Sequence, residues 1–71
     1  MKKLSLNLLA STVSSQRKAK NISQKQLAEL TGINRAMISR LEKEDYLTSI
    51  PLLEKLGEVL DFEPITMFVE E

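Results

Sequence analysis

Seventy-one residues without a cysteine or a histidine exclude a disulfide framework, the usual zinc ligand sets and nucleophilic catalysis of the Ser-His or Cys-His type. A chain of this length reads as one domain over residues 1–71 that buries only about 60% of its unfolded surface, so its stability must come from helix packing or from dimerisation. The net charge of zero hides a division: residues 1–43 carry nine lysines and arginines against two glutamates, a net +7, and residues 44–71 carry one lysine against eight acids, a net −7. Such asymmetry points the N-terminal half at a polyanion and the acidic half elsewhere. No carboxylates pair in an apolar setting that would raise a pKa for acid–base work, so neither an enzyme nor a cofactor is expected.

The opening MKKLSLNLLAST imitates a secretory signal, but its apolar run is short and interrupted by Ser5 and Asn7. Nothing approaches the roughly 18 apolar residues of a membrane span, and a cytoplasmic protein is expected. The alternation Leu4, Leu6, Leu8 resembles a half-buried strand. From about Asn7 to Lys20, Leu9, Val13 and Gln16 recur near helical spacing, and Arg17, Lys18 and Lys20 suit the negative end of a helix dipole. Ser23-Gln-Lys-Gln26 is a capping box that opens a second helix, with Leu27, Ala28 and Leu30 on its apolar side up to Thr31.

Gly32 suits the positive φ of a tight turn, Ile33 anchors it, and Asn34 is placed to cap a third helix that runs to about Lys43. Glu44 to Thr48 reads as a polar loop. Ser49 is expected to cap a fourth helix in which Pro51 is acceptable only in the first turn, with Leu52, Leu53, Leu56, Val59 and Leu60 as its buried stripe and Asp61 as a left-handed terminator. Residues 65–69, Ile-Thr-Met-Phe-Val after Pro64, are rich in strand formers, and a fifth short helix is the open alternative. These apolar ends read as dimer material.

The third helix raises a question of its own. With Arg35 at zero and about 100° per residue, Ser39, Ala36 and Arg40 fall within about 140° on one side, while Met37, Leu41 and Ile38 occupy the other. One side packs, and the other is cationic, short-branched and free.

Gln24 to Glu42 therefore reads as helix, glycine turn, helix, with small Ala28 at a close crossing and Leu27, Ile33, Ile38 and Leu41 sealing the corner. QKQLAELTGINRAMISRLE resembles the phage-repressor and Cro-like (XRE) helix-turn-helix family, and the likeness extends over about residues 9 to 63 through Val13, Arg17, Ile22 and SIPLLEKLGEVLDF. It implies an all-α, compact lambda-repressor-like domain of four to five helices, with the motif at about 23–43 and a dimerisation segment at 62–71 that includes a short strand. In that family the second helix of the motif enters the major groove of double-stranded DNA.

By matching position Arg35, Ala36, Ser39 and Arg40 resemble base readers: arginine suits guanine O6 and N7, and alanine the thymine methyl. Gln24, Lys25, Asn34 and Lys43 resemble phosphate contacts, Asn34 being a cap first. Arg17 and Glu42 stand where the family often places a salt bridge between the first helix and the recognition helix. Ile65, Met67, Phe68 and Val69 are the expected dimerisation residues. Two departures stand out: no glycine follows Glu42 where many members have one, so the next loop must turn differently, and Gln16 and Thr31 replace commoner apolar residues, implying a thinner core.

The expected function is that of a homodimeric repressor on a palindromic operator. Because LDFEPITMFVEE resembles the end of HipB-type antitoxins, in which a strand pairs with its twin across the dimer, an antitoxin that binds a toxin and represses its own operon is the alternative. A protein-interaction module without DNA is the remaining class, and the cationic face argues against it.

Overall fold

Ser5 turns the chain into its first helix: its Oγ accepts from the Leu8 N–H at 3.1 Å, satisfying one of the donors that every helix start leaves open. The computed structural model describes residues 1–70, in the order β1 (Lys2–Leu4), α1 (Leu6–Ala19), α2 (Gln24–Thr31), α3 (Arg35–Glu42), α4 (Ile50–Leu60), a 3-10 turn (Pro64–Met67) and β2 (Phe68–Glu70). Residue 71 of the expected dimerisation segment lies outside the described residues. The fold is the expected helical domain with a two-stranded ribbon added.

The caps explain most boundaries. At α2 the Ser23 Oγ accepts from the Gln26 N–H at 3.0 Å while Gln26 Oε1 accepts from the Ser23 N–H at 2.8 Å, which completes the capping box. Gly32 ends α2 at φ +77°, a conformation in which a Cβ is unfavourable. Asn34 Oδ1 accepts from the Ala36 N–H at 2.8 Å and opens α3. Asp61 ends α4 in the left-handed region at φ +59°.

Ser49 is a correction: it occupies the N-cap of α4, but its side chain makes no capping bond. Pro51, two residues on, has no N–H to donate, so one of the two usual partners of an N-cap oxygen is missing.

The two ends of the chain correct the sequence reading further. Only Lys2–Leu4 of the N-terminal alternation is strand, because the Ser5 cap commits Leu6 and Leu8 to α1. Both readings of the C-terminal stretch hold in part, since a 3-10 turn precedes a three-residue strand. β2 pairs antiparallel with β1 of its own chain, with Lys2 opposite Glu70, Lys3 opposite Val69 and Leu4 opposite Phe68. Met67 is 4% exposed and belongs to the chain's own core, so the dimerisation role expected of it gives way to a packing role. Phe68 is half-buried and packs on the same core, whereas Ile65 and Val69 stay exposed.

The core is one cluster: Leu9 and Val13 of α1, Leu27 of α2, Ile33 of the turn, Ile38 and Leu41 of α3, Leu53, Leu56 and Leu60 of α4, and Met67. Each fully buried leucine contributes about 2 kcal/mol of transfer free energy. The polar departures are not thin places in this core. Gln16 Nε2 donates to the Leu60 carbonyl at 2.9 Å, closing α1 against the end of α4. Thr31 Oγ1 donates to the Leu27 carbonyl at 2.7 Å and accepts from the Ile33 N–H at 3.2 Å, so a buried hydroxyl holds the turn between α2 and α3.

Candidate nucleic-acid interface

Helix α3 is fixed from one side and open on the other. Ile38 and Leu41 are fully buried and Met37 is half-buried against the core, while Arg35, Ala36 and Arg40 are exposed and Ser39 is half-buried. The half-buried Ala28 of α2 also packs on this core, and its carbonyl accepts from the Gly32 N–H at 2.8 Å. The four residues expected to read bases thus sit together on the free arc of one eight-residue helix.

Behind that helix stands a network of four groups. Arg17 of α1 donates through Nε to Glu42 Oε2 at 2.7 Å and through Nη2 to Glu42 Oε1 at 3.1 Å. Its remaining terminal nitrogen donates to the Ile22 carbonyl at 2.9 Å, and Gln24 Nε2 donates to Glu42 Oε1 at 3.3 Å. The two charged side chains are only 12% and 10% exposed, so water screens them little. The hydrogen bonds to Glu42 raise the Arg17 pKa above its already high value, against the opposing effect of burial, and the guanidinium keeps its charge. The expected salt bridge is present, and it clamps α1, the start of α2 and the end of α3 at one point.

The residues expected at phosphates ring this helix. Gln24 is half-buried, and its amide is engaged with Glu42; Lys25 and Lys43 are exposed at the start of α2 and just past α3. Asn34 is exposed and spends its Oδ1 on the cap, which leaves its amide NH2 without a protein acceptor among the described residues.

The two arginines of the open face differ. Arg35 has no polar partner among the described residues, but Arg40 donates through Nε to Asp45 Oδ2 at 3.3 Å and through Nη2 to the Asp45 carbonyl at 3.1 Å. Sequence reasoning took residues 44–48 as a polar loop and missed this contact. Its signal was the absent glycine: Glu44 itself adopts φ +62°, which turns the chain back along α3. Leu47, between α3 and α4, and Ile50, the first residue of α4, are exposed and apolar and were also passed over.

The fold and this face define a helix-turn-helix module. The chain belongs to the helix-turn-helix family (HTH_3), which matches residues 13–67 and is a family of DNA-binding transcription regulators. Its fold resembles that of the restriction-modification controller protein C.AhdI from Aeromonas hydrophila at 32% identity and a TM-score of 0.77, covering 89% of this chain and 96% of that one. It also resembles an HTH_3 family transcriptional regulator from Vibrio cholerae at 25% identity and a TM-score of 0.74. That alignment covers 83% of this chain and 33% of the Vibrio protein, so this chain corresponds to about a third of that regulator. No curated protein matches the sequence. Among the described residues no helix is long and apolar enough to cross a membrane.

Proposed function

We propose that the chain is a homodimeric, sequence-specific repressor whose α3 enters the major groove of a palindromic operator. The observation that carries this reading is the split of α3 into a buried apolar arc and an open arc of Arg35, Ala36, Ser39 and Arg40. A groove about 12 Å wide accepts one helix, with side chains of this kind at base edges. Gln24, Lys25, Asn34 and Lys43 contact the flanking phosphates, and the first turn of α2 presents its N–H groups to one of them.

The dimer rests on the exposed apolar residues Ile65 and Val69, with Leu47 and Ile50 as further candidates. Two copies place their recognition helices about 34 Å apart, one duplex turn. Light scattering of the free protein, followed by hydroxyl-radical footprinting on duplex from upstream of its own gene, tests both parts. A dimer mass with two protected half-sites one turn apart supports the reading; a monomer that protects a single site contradicts it.

The likeness to the Aeromonas restriction-modification controller protein favours control of a restriction-modification system as the setting. The antitoxin alternative required a strand that pairs with its twin. β2 pairs instead with β1 of its own chain, and no observation here favours a toxin partner over DNA alone.

A further inference from the structure

Three acids follow the packed arc of α3 in close succession, and each has a different partner. Glu42 holds Arg17 and Gln24, Glu44 Oε2 accepts from Asn7 Nδ2 at 3.1 Å, and Asp45 holds Arg40. The first two contacts fasten α3 and its following loop to α1 and α2. The third joins two residues of one local segment, and one of them, Arg40, belongs to the open arc of α3.

An acid beside a polyanion is repelled unless a cation stands between them. Asp45 has that cation, and the contact is built from both ends. The Asp45 N–H donates to the Arg40 carbonyl at 2.8 Å, the Asp45 carbonyl accepts from Arg40 Nη2 at 3.1 Å, and the carboxylate accepts from Nε at 3.3 Å. Met37 Sδ lies 3.9 Å from Nη1. A guanidinium has five N–H groups, and these contacts engage three of them. One N–H remains on each terminal nitrogen, the fork that matches guanine O6 and N7.

We propose that Asp45 is a positioning residue for base recognition: it fixes the Arg40 guanidinium by its inner edge so that the outer fork reads a guanine. This rests on the reading of α3 as the recognition helix. A free arginine at this position would reach a phosphate or several bases with similar ease; one held at Nε and Nη2 has a single direction left. Exposed as both side chains are, at 50% and 72%, the pair is screened in the free protein and tightens when DNA displaces the surrounding water. Arg35 has no such support, which makes it the more adaptable of the two.

The test is selection from a randomised duplex pool by the full chain, comparing wild type, Arg40→Ala, Asp45→Ala and Asp45→Asn. Wild type enriches a consensus, and Arg40→Ala removes the preference at one position of each half-site. Both Asp45 variants relax that same position by about tenfold, within the range of a bidentate arginine–base pair, and leave the other positions intact. If the Asp45 variants keep or sharpen the preference there, relax every position equally, or if Arg40→Ala alters no position, the proposal is overturned. A wild-type pool without a consensus overturns the recognition-helix reading itself, and that failure is visible in the wild-type arm alone. The variants retain the backbone bond from residue 45 to Arg40, and circular dichroism checks that each is folded.

Discussion

The two glycines occupy their positions for opposite reasons, and their alanine variants separate those reasons. At Gly32 a Cβ would meet no atom within 4 Å, but φ is +77°, so Gly32→Ala suffers only backbone strain and is expected to lose about 1 kcal/mol. At Gly57 a Cβ would stand 2.5 Å from the Phe62 carbonyl oxygen and 3.1 Å from the Pro64 ring. Alanine is the better helix former there by about 1 kcal/mol, yet the chain leaving α4 must move aside, and a net loss of about 2 kcal/mol is expected. Urea melts of the two variants check the order; a stabilised Gly57→Ala would mean that the segment after α4 yields freely. The left-handed need at Gly32 was legible because a glycine between two amphipathic stretches has few other readings. The need at Gly57 was not, because the oxygen that crowds it comes from the far side of a turn whose path the sequence leaves open. Asp45 escaped for a narrower reason: the glycine missing after Glu42 says that the loop turns differently, but not that Glu44 is the residue that takes the positive φ.

Among the elements, α3 depends on contacts from behind as much as on its own propensity. Removing Glu42 leaves Arg17 charged, nearly buried and without its carboxylate, and Glu42→Ala is expected to lower stability by about 3 kcal/mol. For a chain of this size that is a large share of a total of about 4 to 10 kcal/mol. Thermal unfolding by circular dichroism would show it as a fall in Tm of more than about 10 °C, and an unchanged melt would mean the clamp carries no stability. The helices themselves were largely legible, because the capping box at Ser23, the Asn34 cap and the spacing of Leu53, Leu56 and Leu60 are local signals. The ribbon was not: its pairing joins residues 2–4 to residues 68–70, and only the folded core brings those ends together. Three-residue strands are also too short to state a period. Met67 was for that reason assigned to a partner when its own chain had room for it.

At the scale of the molecule, one half of the sequence is cationic and the other acidic, and the cationic half contains α2, α3 and all the proposed phosphate contacts. Affinity for DNA is therefore expected to fall steeply with salt, by about tenfold or more for each doubling of concentration if several phosphates are neutralised. The exposed Ile65, at 65%, is expected to matter for assembly alone: Ile65→Glu should yield a folded monomer by light scattering, with operator affinity reduced because each half-site is then bound singly. A dimer that survives this substitution would move the interface to another surface, with Leu47 and Ile50 the next residues to change. In the acidic half, Glu54, Glu58, Asp61 and Glu63 line one groove around the end of α4, with Lys20 paired to Asp61 and Lys55 to Glu58; an excess of carboxylates there disfavours the approach of DNA from that side.

The most direct measurement is a fluorescence-anisotropy titration of wild type and of Arg35→Ala/Arg40→Ala against duplex from upstream of the gene and against random duplex, at two salt concentrations. Wild type should prefer its own duplex by about a thousandfold or more, and the double variant should lose most of that preference while melting at nearly the wild-type temperature. Equal binding of both duplexes by wild type, or a double variant that keeps its selectivity, would contradict the assignment of α3 as the reading element.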